Sequence, residues 1–206
     1  MGGGRSSSWG GGGGGGGSPL DTKDLISARE GKQTEVDQIL TVLRDAEKQY
    51  GINMDTEIGI FPPGSNTMGY FDPQTGNIGM NNSYFDSKKL DGVYDKSVEN
   101  KFHPPRGDKS GMEAVASHEV GHKINYYASE RNGMSADALA NKVVEDASKK
   151  LGYKNSANMA NKISGYAKEN KKECIAEAFA DVYCNGKKAK KESKAVVDEL
   201  NKYAGG

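Results

Sequence analysis

Residues 118–122 read His118-Glu119-Val120-Gly121-His122, and this pentapeptide constrains the fold because its chemistry exists only on a helix. Helical spacing puts His118 and His122 one turn apart on one face, about 5–6 Å between Cβ atoms, so both imidazoles can reach one metal at about 2.0–2.1 Å. Glu119 is turned about 100° away. It therefore does not compete as a ligand and can act as general base toward water activated by the metal. The neighbourhood supplies the helix: Met112, Val115, Ala116 and Ile124 are apolar at helical spacings, and the segment contains no proline.

Two histidines and a water leave a tetrahedral zinc one protein ligand short. The segment Glu173-Cys174-Ile175-Ala176-Glu177-Ala178-Phe179-Ala180-Asp181 places acids at i, i+4 and i+8, with Ile175, Ala178, Phe179 and Val182 on the buried side. Such a stripe is ordinarily a solvated helix face. Beside a pair of histidines in need of a carboxylate it gains a use, because one acid can ligate while its neighbour accepts the free N–H of a metal-bound histidine.

The remaining chain organises around these two helices. Residues 1–18 carry 11 of the 28 glycines and the single tryptophan, Trp9, and read as a flexible tether that cannot offset its ordering entropy. Residues 19–206 form one domain, with a core over 55–185 and a C-terminal helix over 186–206. Asp21 to Tyr50 is helical in pattern, with Thr34 as a cap and Gly51 as its end. Strands follow at Glu57–Phe61, Met68–Phe71 and Asn77–Met80, the last two flanking the turn Asp72-Pro73-Gln74-Thr75-Gly76. A short helix is expected around Ser87–Tyr94. Helices are predicted near Gly111–Ala128, Ser135–Leu151, Asn155–Tyr166, Lys171–Asn185 and Lys190–Tyr203. Helix, small antiparallel sheet, then helices is α+β and mainly helical.

Composition removes several function classes. Lys and Arg number 28 against 28 Asp and Glu, so no overall pull toward nucleic acid or anionic membrane is expected. No apolar run is long enough to span a bilayer, and no apolar h-region marks a secretory signal. Cys174 and Cys184, on one helix, stand roughly 15 Å apart, too far to bridge. Cys174 reads as a core thiol, His103 before Pro104-Pro105 as a structural loop histidine, and the run Lys187, Lys188, Lys190, Lys191 and Lys194 as a solvated face. An intracellular or virion setting is expected rather than export by a signal peptide.

The HExxH with Glu-xxx-Glu on a later helix resembles the gluzincin class of zinc metallopeptidases. More narrowly, Ser164-Gly165-Tyr166-Ala167-Lys168-Glu169-Asn170-Lys171-Lys172-Glu173 and Ile175-Ala176-Glu177-Ala178-Phe179 resemble the catalytic domain of anthrax lethal factor and its relatives. They are similar too to zincin-like domains of phage minor head (head morphogenesis) proteins, as is Lys101-Phe102-His103-Pro104-Pro105. The resemblance implies a zincin-like fold, Zn2+ on His118, His122 and Glu173, and Glu119 as general base. It also implies Glu177 orienting His118, Tyr166 donating to the oxyanion, and the Met68–Met80 hairpin as the strand along which an extended peptide substrate lies. Cys174 and Ile175 stand where such enzymes carry bulky aromatics. Two functions follow: a zinc-dependent endopeptidase acting on a protein or peptide, or a virion morphogenesis protein that uses the fold as a structural module among phage virion proteins.

Overall fold

The computed structural model describes residues 6–8, 32–52, 58–61 and 67–205. Its α-helices are α1 (Gln33–Tyr50), α2 (Ser87–Glu99), α3 (Gly111–Arg131), α4 (Ala136–Lys150), α5 (Ser156–Ile163), α6 (Lys171–Asn185) and α7 (Lys191–Ala204). The helical pattern expected over residues 21–31 lies outside the described residues, as does most of the tether over 1–18. Thr34 does not cap α1: the helix starts at Gln33 after Lys32, placing Thr34 within its first turn. Gly51, left-handed at φ 61°, ends α1 by donating its N–H to the Glu47 carbonyl.

Local chemistry fixes the two helices that matter most. At the start of α3, Ser110 accepts from the Glu113 N–H while the Glu113 carboxylate accepts from the Ser110 N–H, a reciprocal capping box. Asn170 caps α6 by accepting from the Glu173 N–H, which places Glu173 in the first turn, where the helix dipole favours an anion. α3 runs through the centre of the molecule against α1, α6, α7 and α4. It is buried nearly all round, which explains its small residues: Ala114, Ala116, Ser117, Gly121 and Ala128 let neighbours approach from every side.

The segment expected as one helix over Asn155–Tyr166 divides. α5 stops at Ile163, Ser164 is extended, and Tyr166–Lys168 form a single 3-10 turn. The backbone is diverted into pairing: Gly165 N–H donates to the Lys101 carbonyl and Tyr166 N–H to the Phe102 carbonyl. Lys101 makes this possible by adopting φ 59°, the one positive φ of a non-glycine among the described residues. That conformation costs about 1–2 kcal/mol and is held by the surrounding structure.

The sheet has the order β1-β3-β4-β2, with β1 (Ser6–Ser8), β2 (Ile58–Phe61), β3 (Gly69–Asp72) and β4 (Asn77–Asn81). β3 and β4 form the expected antiparallel hairpin, closed by Gly76 at φ 75°. The sheet is not wholly antiparallel, because β2 pairs parallel to β4. β2, β3 and β4 alternate in direction and β2 pairs with β4 rather than with β3, so that pair is parallel. β1 is a strand within the segment read as tether.

Candidate metal centre

α3 and α6 cross closely enough to bring three donors to one point. His118 Nε2 and His122 Nε2 each lie 3.1 Å from Glu173 Oε2, and the two nitrogens lie 3.2 Å apart. Three donors at zinc-type bond lengths around a tetrahedral ion stand about 3.3 Å from one another, so this cluster could hold a metal ion without rearrangement. Two imidazoles and a carboxylate are also the donor chemistry such an ion takes. The crossing depends on Gly121: a Cβ there would sit 2.9 Å from Ala176 Cα and 3.0 Å from Phe179 Cβ.

Glu177, one turn beyond Glu173, is fully enclosed and takes three hydrogen bonds. Its Oε1 accepts from His118 Nδ1 at 2.8 Å and from His103 Nδ1 at 2.9 Å, and its Oε2 accepts from Ser164 Oγ at 2.7 Å. Burial alone would raise this carboxyl, but the two histidines outweigh it and hold the group down at about 2. An ionised carboxylate only accepts, so both Nδ1 atoms carry hydrogen, and His118 is obliged to turn Nε2 toward the cluster.

The ring pair shares one proton in the metal-free protein. Burial disfavours charge on His118, yet Glu173 and Glu177 prevail and hold it up at about 10. On His122 burial wins over the pull of Glu173 and pushes the ring below its ordinary 6.5. Glu173 is pushed upward by burial, but its two imidazole neighbours overcome this and hold it well below the usual carboxylate range. A bound metal would therefore take the place of the His118 proton.

Glu119 is wholly buried between α3 and the sheet. Burial raises its pKa far above 4.5, with Glu173 and Glu177 adding to the shift and His118 opposing it. β3 comes so close that a Cβ on Gly69 would lie 3.3 Å from Glu119 Oε1 and 2.8 Å from Val115 Cγ1. The Tyr166 ring stacks over His118, with centroids 5.9 Å apart and planes at 26°, and also packs on His103 and Phe102. A cavity of about 300 Å3 opens beside His122. Phe71, Pro73, Tyr126 and Ala136 give it apolar walls, and Asn125, Asp137 and Lys172 complete the lining.

The structure brings together every residue singled out from the sequence for this centre: His118, His122, Glu173, Glu119, Glu177 and Tyr166. Two residues that sequence reasoning left without a role join them. His103 is no ordinary loop residue, being buried on Glu177, and Ser164 gives Glu177 its third donor. The only signals were their places in the segments 101–105 and 164–173. Cys174 is a core thiol raised by burial to about 12. In the lysine run, Lys190 and Lys194 spend their ammonium groups on the carbonyls of Ile163 and Lys187. Among the described residues no helix is long and apolar enough to cross a membrane. No family model matches the chain, and no curated protein matches it at a significant level.

Proposed function

We propose that the protein is a zinc-dependent peptidase of the gluzincin type, hydrolysing peptide bonds in an extended substrate. The observation that carries this reading is the triangle of His118, His122 and Glu173 donors at 3.1–3.2 Å, with Glu119 one residue along the same helix and facing the sheet. Zinc held by these donors would supply Lewis acidity, polarising a carbonyl and lowering the pKa of water. Glu119, its pKa raised well above the ordinary carboxylate value by burial, would take a proton and return it to a leaving amine. Glu177 locks the His118 tautomer, and His103 and Ser164 lock Glu177. Tyr166 serves as oxyanion donor, and the cavity beside His122 receives a substrate side chain. The phage likeness also suggests a virion module without activity, but such a module has no use for a general base buried beside a ligand triangle.

Elemental mass spectrometry should find about one zinc per chain, and Glu173→Ala should lose it. Glu119→Gln should keep the zinc and abolish cleavage of a proteome-derived peptide library read by mass spectrometry. Zinc absent after reconstitution, or undiminished cleavage by Glu119→Gln, would overturn the proposal.

A further inference from the structure

β1 lies antiparallel along β3, with Ser6 opposite Phe71, Ser7 opposite Tyr70 and Ser8 opposite Gly69. β4 holds the other side of β3, so β1 closes this flank of the sheet. With β4 on the other side, it is the flank of β3 at which a further strand can pair, and β3 itself borders the candidate metal centre. Gly69, the partner of Ser8, is pressed against Glu119, and Phe71, the partner of Ser6, lines the cavity beside His122. β1 itself also lies against α3.

A strand flank has one row of N–H and C=O groups and accepts one strand at a time. An extended peptide approaching Glu119 along β3 would need the row that Ser6–Ser8 already holds. Backbone pairing is indifferent to sequence, so a peptide and the chain's own segment compete on equal terms except for tethering. A three-residue ladder is weak between separate molecules, but within one chain it operates at an effective concentration on the order of millimolar.

We propose that Ser6–Ser8 occupies in cis, as a resident competitor, the β3 flank along which an extended peptide substrate would pair. The inference rests on the peptidase reading for what arrives at this flank, though not for the docking itself.

The test is a binding measurement that needs neither zinc nor cleavage. The probe is a synthetic peptide of residues 2–10, Gly-Gly-Gly-Arg-Ser-Ser-Ser-Trp-Gly, labelled with fluorescein and followed by anisotropy. It is titrated with the full chain carrying Glu119→Gln, and with the same chain also carrying Ser6→Pro, Ser7→Pro and Ser8→Pro. Proline has no N–H, so the triple change removes every donor that β1 can present. If the docked state predominates about nine to one, freeing β3 should tighten probe binding about tenfold. Amide hydrogen exchange over Gly69–Asp72 should quicken in the triple variant without probe. A probe carrying the three prolines should bind neither protein. Equal affinity for both proteins, binding to neither, or equal binding of the proline probe would overturn the proposal. The peptidase reading is untouched by any of these outcomes, since it stands on zinc content and cleavage.

Discussion

Two walls meet at Glu119, and they are built on different terms. The helical wall, α3 against α6, works through side chains: His118, His122, Glu119, Glu173 and Glu177 are all buried there. Buried charge is costly unless each partner stays in place, so this wall must be rigid, and its imidazoles and carboxylates are held from behind by His103 and Ser164. The strand wall, β3 on β4, works through backbone. It reaches Glu119 with a glycine, and proximity is all it has to provide. Disturbing the first wall should cost stability and metal together, whereas disturbing the second should leave the metal in place.

The largest separation between the walls should come from Glu177→Ala. It strips three buried donors of their acceptor, leaving an imidazole N–H on each of His118 and His103 and the Ser164 hydroxyl unanswered. Breaking such a buried network costs about 3–5 kcal/mol, and a freed His118 ring loses its fixed tautomer. Chemical denaturation and a zinc competition assay should both register the loss. His103→Gln, which reaches the ligands through Glu177, should lower zinc affinity about 10- to 100-fold while the fold persists. Unchanged zinc affinity in His103→Gln would reduce His103 to packing.

Next in size is a matched pair of glycine changes. Gly121→Ala in an open helix would stabilise by up to about 1 kcal/mol. Here its Cβ meets the Ala176 backbone, which cannot give without parting the helices, so a net destabilisation of about 1–3 kcal/mol with weakened zinc binding is expected. Gly69→Ala meets Val115 Cγ1 at 2.8 Å and the Gly79 carbonyl oxygen at 3.2 Å, away from the α3–α6 crossing, so the melting temperature should fall comparably while zinc is retained. Cleavage should still suffer, because the strand is pushed off Glu119. Loss of zinc in Gly69→Ala would break the distinction between the walls.

The helical wall was largely legible in the sequence because its geometry is local. Residues 118 and 122, like 173 and 177, face the same way by helical period alone, and the boundaries of α3, α4, α6 and α7 fall within a few residues of those expected. What could not be read was set by contacts distant in the chain. His103 meets Glu177 across 74 positions, through a left-handed Lys101 that no residue preference announces. The closeness of Gly121 to α6 needs Ala176 opposite it. The parallel pairing of β2 with β4 skips over β3, which lies between them in the chain, and β1 is written in serine, which carries little strand preference.

The gentlest perturbation adds no atom. Two ordinary histidines would release a metal near 6.5, but His118 is held up at about 10 by Glu173 and Glu177 against its burial. Protons therefore compete with zinc throughout the neutral range, and apparent affinity should fall about tenfold or more per unit as pH drops from about 9 to 7. A competition titration that stays flat above 6.5 would contradict the shared-proton arrangement. The metal-free fold should respond in a matching way. His118, raised in the folded state, contributes stability that is complete below 6.5 and lost as pH rises through about 10. Glu177, lowered in the folded state, contributes stability present above 4.5 and lost as pH falls through about 2. Glu119 adds to the alkaline decline, because its raised pKa makes ionisation costly in the folded protein above 4.5. His122, lowered in the folded state, gains stability as pH rises to 6.5 and offsets Glu119 over that range, so denaturation of the metal-free protein should show greatest stability between about pH 4.5 and 6.5, and zinc should move that optimum upward by removing the His118 proton. Because Glu119 owes its raised value first to burial, Gly69→Ala, which pushes the strand off it, should soften the Glu119 share of the alkaline decline.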